Sequence, residues 1–391
     1  MKRFWSVVLV LALMAASAAV TFCVTYRELA DSQAVSPAAV KAEELTALID
    51  RYFIDEYDET ILSDGAAAGM IAATGDQWSY YISAADYRAY MEQMNNAYVG
   101  IGVTIEEDAE AGGFRIMSVV EGGPADKGGV QVDDVLIEVE GQNALELGQD
   151  ATVELVRGRE GTEIQLLFLR DGQRRSVTLT RESVATVVVS YRMEAGDIAV
   201  ITILNFDSHS AQDTIAAVER AVSEGARGIV FDVRNNPGGM KDELVKILDR
   251  ILPEGDLFRS VDYEGKEEVD TSDAECLDLP MAVLVNEESY SAAEFFAAAL
   301  QEYGAAEVVG MPTSGKGNYQ STFRLSDGSA AALSIGRYFT PQGRSLTDVG
   351  VTPDVEVDLS DEDFARLYYD QLPPGEDAQL QAALALLQES P

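Results

Sequence analysis

The sequence predicts a multidomain α/β chain. Three observations carry this. The chain has 391 residues, more than one compact domain usually holds. Residues 183–358 alternate apolar strands with helical stretches, the signature of βαβ units and a parallel or mixed sheet. Residues 98–182 instead show short β runs broken by glycine turns, and helical segments flank the two regions.

Taken in order, the N-terminus begins with Lys2 and Arg3, then an uncharged run from Trp5 to Tyr26. A helix of about 20 residues spans a bilayer core of roughly 30 Å. Basic residues on the short side predict an N-in, C-out anchor over residues 1–27. Cleavage after Ala16-Ser17-Ala18 is the competing reading, but the run exceeds a usual signal core. Both readings export the rest: a single-pass cell-membrane protein with its remaining domains extracytoplasmic, or a secreted one.

Residues 28–97 read as helical. Ser36-Pro37 pairs an N-cap with proline at the first helical position, and Leu45, Leu48, Ile49, Tyr52 and Phe53 follow at helical spacing. A second capped helix is expected over 84–91 after Ser83. These helices either cover the core or pair with a second copy in a homodimer. In residues 98–182, strands are expected at 100–105, 114–120, 134–140, 163–169 and 175–180, with helices at 125–127 and 151–157. In residues 183–358, strands are expected at 198–203, 228–233, 281–285 and 307–309, with helices at 211–223, 240–252 and 291–301. Residues 359–391 read as two short amphipathic helices.

Composition narrows the function. Apolar residues make up 47%, enough for a substantial core. Asp and Glu number 67 against 28 Lys and Arg, a net charge of −39. That excludes nucleic acid as the expected partner, because phosphate binding needs clustered cations. The two cysteines, Cys23 and Cys276, make no disulfide framework, since Cys23 lies in the apolar run. The single histidine, His209, rules out a His-rich zinc site. A Ser-His-Asp triad would need that residue, which sits in a polar, turn-like stretch.

Three segments carry candidate chemistry. The strand at 228–233 runs into Arg234-Asn235-Asn236-Pro237-Gly238-Gly239 and then a helix. Backbone N–H groups at such a turn can hold an oxyanion; the plain alternative is an ordinary turn. The strand at 281–285 leads through Asn286-Glu287-Glu288-Ser289-Tyr290 to Ser291 at a helix start. Ser291 is a candidate nucleophile at the carboxyl end of a strand, with the Ala292 N–H beside it. Ser291-x-x-Glu294 is equally a capping box, and Ser289 is a rival nucleophile. A serine needs a base, which here is a carboxylate, a lysine or a tyrosine. Gly315-Lys316-Gly317 offers a lysine where backbone can approach closely, although such a sequence also suits a surface turn. Lysine acts as a base only if burial disfavours its charge. Residues 310–316 also fit a phosphate-loop pattern, but Gly317 replaces the required Ser or Thr and the next segment alternates like a strand.

Together these segments resemble the carboxyl-terminal processing (tail-specific) serine peptidases. The resemblance rests on Gly100-Ile101-Gly102-Val103, on Asp232-Val233-Arg234-Asn235-Asn236-Pro237-Gly238-Gly239, and on Val285 to Glu294. Gly315-Lys316-Gly317-Asn318-Tyr319-Gln320 and Arg337-Tyr338-Phe339-Thr340-Pro341-Gln342-Gly343-Arg344-Ser345 complete it. It implies a crotonase-like α/β protease core at 183–358 with an inserted, mostly β PDZ domain at 98–182. It implies Ser291 as nucleophile, Lys316 as general base and Gln320 orienting the lysine. Four apart in an extended segment, Lys316 and Gln320 would share a face. Ala292 with Gly238 or Gly239 would form the oxyanion hole. Gly100, Ile101, Gly102 and Val103 would receive substrate C-termini by strand addition. Arg157 would take part in gating. The implied activity is an endopeptidase on exported or membrane-associated proteins, with no metal and no cofactor. A PDZ scaffold that binds C-termini without cutting is the rival. Tyr290 departs from the family pattern, which has a small residue beside the nucleophile.

Overall fold

The computed structural model describes residues 36–389. The membrane anchor expected over residues 1–27 lies outside them, and among the described residues no helix is long and apolar enough to cross a membrane. The described chain divides after Gly75.

The first unit holds two helices, Pro37–Tyr52 and Glu59–Ala72. The Ser36 hydroxyl accepts the Ala39 N–H at 3.2 Å, and Asp58 caps the second helix through Thr60 and Ile61. Neither helix buries a residue.

From Asp76 onward the chain is one unit, so the segment read as uniformly helical to residue 97 splits. Tyr80–Ile82 is a strand paired with Ala330–Ala332. The helix expected from residue 84 starts at Tyr87 and runs to Met94, because Ser83 and Asp86 bond each other in a preceding turn. Two short strands, Ala97–Gly100 and Glu182–Ala185, pair where the chain enters and leaves the next module.

That module is a five-strand antiparallel path of Val103–Asp108, Gly113–Val119, Val135–Val139, Glu163–Arg170 and Gln173–Thr180, with Gln142–Asn143 paired alongside. Ile164, Leu166 and Phe168 alternate inward to meet Phe114, Ile116, Leu136 and Val139. The helix Gln149–Val156 covers this core. The expected strands all form within a few residues, except that 100–105 breaks at Gly102, whose φ of +77° turns the chain.

The larger core is a six-stranded sheet in the order Val189–Glu194, Ile198–Ile203, Gly228–Asp232, Met281–Val285, Ala306–Gly310, Val355–Glu356. All neighbours are parallel except the first pair. Covered on both faces, its central strands are continuously apolar. Ile201, Phe231 and Val283 pack under the helices Ser210–Ser223, Lys241–Ile251 and Ala292–Glu302. Val200, Val230 and Leu284 face the C-terminal helix Ala378–Glu389. A second sheet centres on Ala330–Phe339, which pairs with Tyr80–Ile82, Gly255–Asp262 and Asn318–Arg324. A strand, not a helix, thus follows Lys316, and the phosphate-loop geometry is absent.

Candidate active site

The strands Gly228–Asp232 and Met281–Val285 are parallel neighbours, so their carboxyl ends lie side by side. Ligand sites of open α/β sheets form at such ends. The two loops that leave them are stitched together by asparagines. Asn235 N–H donates to Asn286 Oδ1 at 2.9 Å, and Asn286 Nδ2 donates to Asn235 Oδ1 at 2.8 Å. The Tyr290 N–H donates to the Asn236 carbonyl at 3.1 Å. Ser289 is buried and its hydroxyl donates to the Val233 carbonyl at 2.7 Å. That bond makes it a brace between the loops, which removes it as a rival nucleophile. Below, buried Arg234 bonds Asp232 at 2.7 Å and Asp377 at 2.8 Å, tying the first loop to the start of the C-terminal helix.

Ser291 stands at the start of the helix Ala292–Glu302 with φ +60° and ψ −122°. A residue with a β-carbon in this region costs of order 1–3 kcal/mol, a kind of strain that collects at functional turns. Gly238 presses against this turn: a Cβ there would fall 2.7 Å from Ser291 Cβ and 2.8 Å from the Ala292 nitrogen. Only glycine fits.

Glu294 holds the site together. It is fully buried, and its carboxylate accepts four donors. The Ser291 N–H lies at 2.9 Å, the Lys316 N–H at 2.9 Å, the Gly315 N–H at 2.6 Å and the Thr313 hydroxyl at 2.6 Å. The sequence showed only a local cap here. In the fold the same carboxylate clamps the serine turn to the lysine loop. Burial pushes its carboxyl upward, against the hydrogen bonds that favour the ionised form.

Lys316 is half-buried beside this clamp. Its Nζ lies 4.9 Å from the Trp78 ring centre and 5.8 Å from that of Tyr290. Burial lowers its pKa from 10.5 to about 8, although the Glu294 and Asp76 carboxylates favour its charge. At pH 7 a pKa near 8 leaves about one lysine in ten neutral, some 300-fold more than a free one. Tyr338, buried between Phe258 and Phe295, donates its hydroxyl to the Lys316 carbonyl.

The remaining expected site residues fall less simply. Gln320 makes no hydrogen bond to Lys316; its amide donates to the Asn318 carbonyl at 3.2 Å and the Ser334 hydroxyl at 3.0 Å. The pairing of Asn318–Arg324 shifts register between Tyr319 and Gln320, and Lys316 lies before the strand, so four-residue spacing does not put both on one face. The Gly238 N–H is engaged by Asn236 Oδ1 at 2.8 Å. Those of Gly239 and Ala292 donate to no partner among the described residues. Gly100, Ile101, Gly102 and Val103 are a strand end, a turn and a strand start rather than one strand. The strand Val103–Asp108 is a sheet edge with one side unpaired. Arg157 bonds Glu92 at 3.3 Å and lies over the Tyr98 ring. His209 is engaged through both ring nitrogens, with Asp213 at 2.9 Å and the Asn96 carbonyl at 3.1 Å. Among the described residues no group of His, Cys, Asp and Glu is placed to hold a metal.

A strained serine at a helix start thus stands beside a lysine loop on an α/β core, with a small β module before it. Residues 197–357 match Peptidase family S41, and residues 115–170 match the PDZ domain. These matches make the chain similar to the carboxyl-terminal processing peptidases. It is 32% identical over 322 residues to a probable CtpA-like serine protease of Staphylococcus aureus (strain N315), covering 81% of this chain and 64% of that one. A probable CtpA-like serine protease of Staphylococcus epidermidis is 30% identical over 321 residues, covering 81% and 65%. The chain thus spans less than two thirds of the length of these curated relatives. A putative S41 protease from Bacteroides fragilis has the same fold, with a TM-score of 0.50 at 18% identity, covering 88% of this chain and 96% of that one.

Proposed function

We propose that this chain is an extracytoplasmic serine endopeptidase that works through a Ser291–Lys316 dyad. The observation that carries it is a lysine whose pKa burial lowers to about 8, on a loop that Glu294 clamps to a strained serine turn. In this mechanism neutral Lys316 Nζ takes the Ser291 hydroxyl proton as Oγ attacks a substrate carbonyl carbon. The carbonyl electron pair moves to oxygen, and the Gly239 and Ala292 N–H groups stabilise that charge. The lysine returns its proton to the leaving amine as the C–N bond breaks. Water then hydrolyses the acyl-enzyme by the same proton path. Gly238 shapes the turn by allowing close packing. Substrates are exported or membrane-associated polypeptides whose C-termini pair along the free edge of Val103–Asp108, with the Ile101–Gly102 turn at the carboxylate. The N-terminal apolar run anchors the chain in the membrane.

The test is digestion of an unstructured protein by the wild type, Ser291→Ala and Lys316→Ala. Both variants are expected to lose at least about 1,000-fold in turnover while still binding peptide C-termini. Equal cleavage by all three would eliminate the dyad. Peptide binding by all three without cleavage would leave a scaffold.

A further inference from the structure

Two aromatic rings from distant segments pack against each other, and the Lys316 head group lies against both from one side. Trp78 comes from the loop before Tyr80–Ile82, and Tyr290 directly precedes Ser291. Their centres are 5.9 Å apart with planes tilted by 33°. Both are on braced supports. The Trp78 N–H donates to Asp76 Oδ1 at 3.2 Å, and the Ser79 hydroxyl donates to Asp76 Oδ2 at 2.5 Å. The Ser334 N–H donates to Ser79 Oγ at 2.9 Å, which pins this loop to the central strand of the second sheet. Tyr290 is fixed by its N–H bond to Asn236. The residue that departs from the family pattern and Trp78 thus together form one aromatic side of a slot around the amine.

We propose that Trp78 and Tyr290 are positioning residues that hold the Lys316 amine in a water-poor aromatic slot and keep it available as a base near neutral pH. The inference rests on the dyad reading above. Two effects oppose each other in such a slot. Ring faces attract the ammonium and favour the charged form, by less than about one pH unit at a partly exposed site. Exclusion of water disfavours it and is the larger effect, since it carries the group from 10.5 to about 8. The charged groups facing the amine, Glu294 and Asp76, both favour the ammonium, so neither explains the lowering. Removing either ring admits water and should therefore raise the pKa of Lys316.

The experiment compares the full chain with Trp78→Ala, Tyr290→Ala, Trp78→Phe and Tyr290→Phe. One readout is the acid limb of kcat/KM against pH. The other is the titration of the Lys316 ε-carbon followed by 13C NMR in a Ser291→Ala background, which needs no turnover. The two alanine variants are expected to move both midpoints up by about one pH unit, lowering kcat/KM at pH 7 roughly tenfold. The phenylalanine variants keep the midpoints near wild type. A residue that merely packs would change the melting temperature and leave the midpoints in place. If Trp78→Ala does not fold, Tyr290→Ala, at a half-buried position, decides. Unmoved or lowered midpoints, with Ser291→Ala inactive, overturn the slot alone. Full turnover in Ser291→Ala overturns the dyad beneath it.

Discussion

The two halves of the site are held in different ways. The serine half is over-determined: two asparagines bond each other, Ser289 bridges the loops, Gly238 fills the space under the turn and Arg234 anchors the loop from below. In the lysine half the backbone is fixed by Glu294 and Tyr338, but the amine itself rests against two packed rings. On the proposed dyad the difference is chemical. A nucleophile must keep one geometry, and a strained turn persists only where its surroundings enforce it. A base must change charge in every cycle, and a fixed ion pair would hold it protonated.

Glu294 is the one carboxylate shared by both halves, so Glu294→Ala is the strongest way to break the comparison. It leaves four donors without an acceptor. Each unpaired buried donor costs about 1–3 kcal/mol, less where the loops relax toward water, so about 3–5 kcal/mol in total is expected. Turnover should vanish with it. Urea unfolding alongside digestion of an unstructured protein checks both. A midpoint within error of wild type would show that the two halves stand independently.

Lys316→Met sharpens the comparison in the opposite direction. The folded pKa of about 8 lies below the ordinary 10.5, so the unfolded chain binds this proton more tightly. Wild-type stability therefore rises with pH between about 8 and 10.5, and below 8 the cost of the buried charge is present in full. The raw shift corresponds to about 3 kcal/mol, and partial solvent screening reduces it to roughly 1–3 kcal/mol. Lys316→Met should be more stable by that amount at pH 7, no more stable near pH 10.5, and inactive. Urea midpoints at the two pH values read the difference. A destabilised variant at pH 7 would mean that the amine is better solvated than its surroundings indicate.

Much of this division was legible in the sequence, and the remainder has identifiable causes. The core strands 198–203 and 281–285 form at the expected residues, because continuous apolar runs flanked by turns leave few alternatives. Ser291 and Lys316 stand out because both sit at glycine- or cap-marked turns. Glu294 reads as a local cap, since three of its four donors come from 19 to 22 residues further on. Trp78 belongs to no chemical motif; its role exists only once Tyr80–Ile82 pairs across the fold. The shared face expected for Lys316 and Gln320 does not form, because a register shift is invisible to a two-residue period. Local pattern finds groups that act through their own turn and misses those that act across it.

Tyr338→Phe is the mildest change and probes the boundary between the halves. The ring remains against Phe258 and Phe295, whose centres lie 5.6 and 5.7 Å away, so packing is conserved. Only the hydroxyl is lost, and with it the hydrogen bond to the Lys316 carbonyl. One net hydrogen bond is worth about 1 kcal/mol of stability. Because Glu294 still holds the Lys316 N–H, the loop should stay in register and drift rather than detach. Small misplacements near reacting groups cost rate more than stability, so kcat should fall about tenfold with KM unchanged. Unlike the alanine changes at Trp78 and Tyr290, this one leaves the slot closed, and the acid limb should stay in place. A shifted limb would assign Tyr338 to the environment of the amine. An unchanged kcat would make the clamp of Glu294 sufficient to join the two halves.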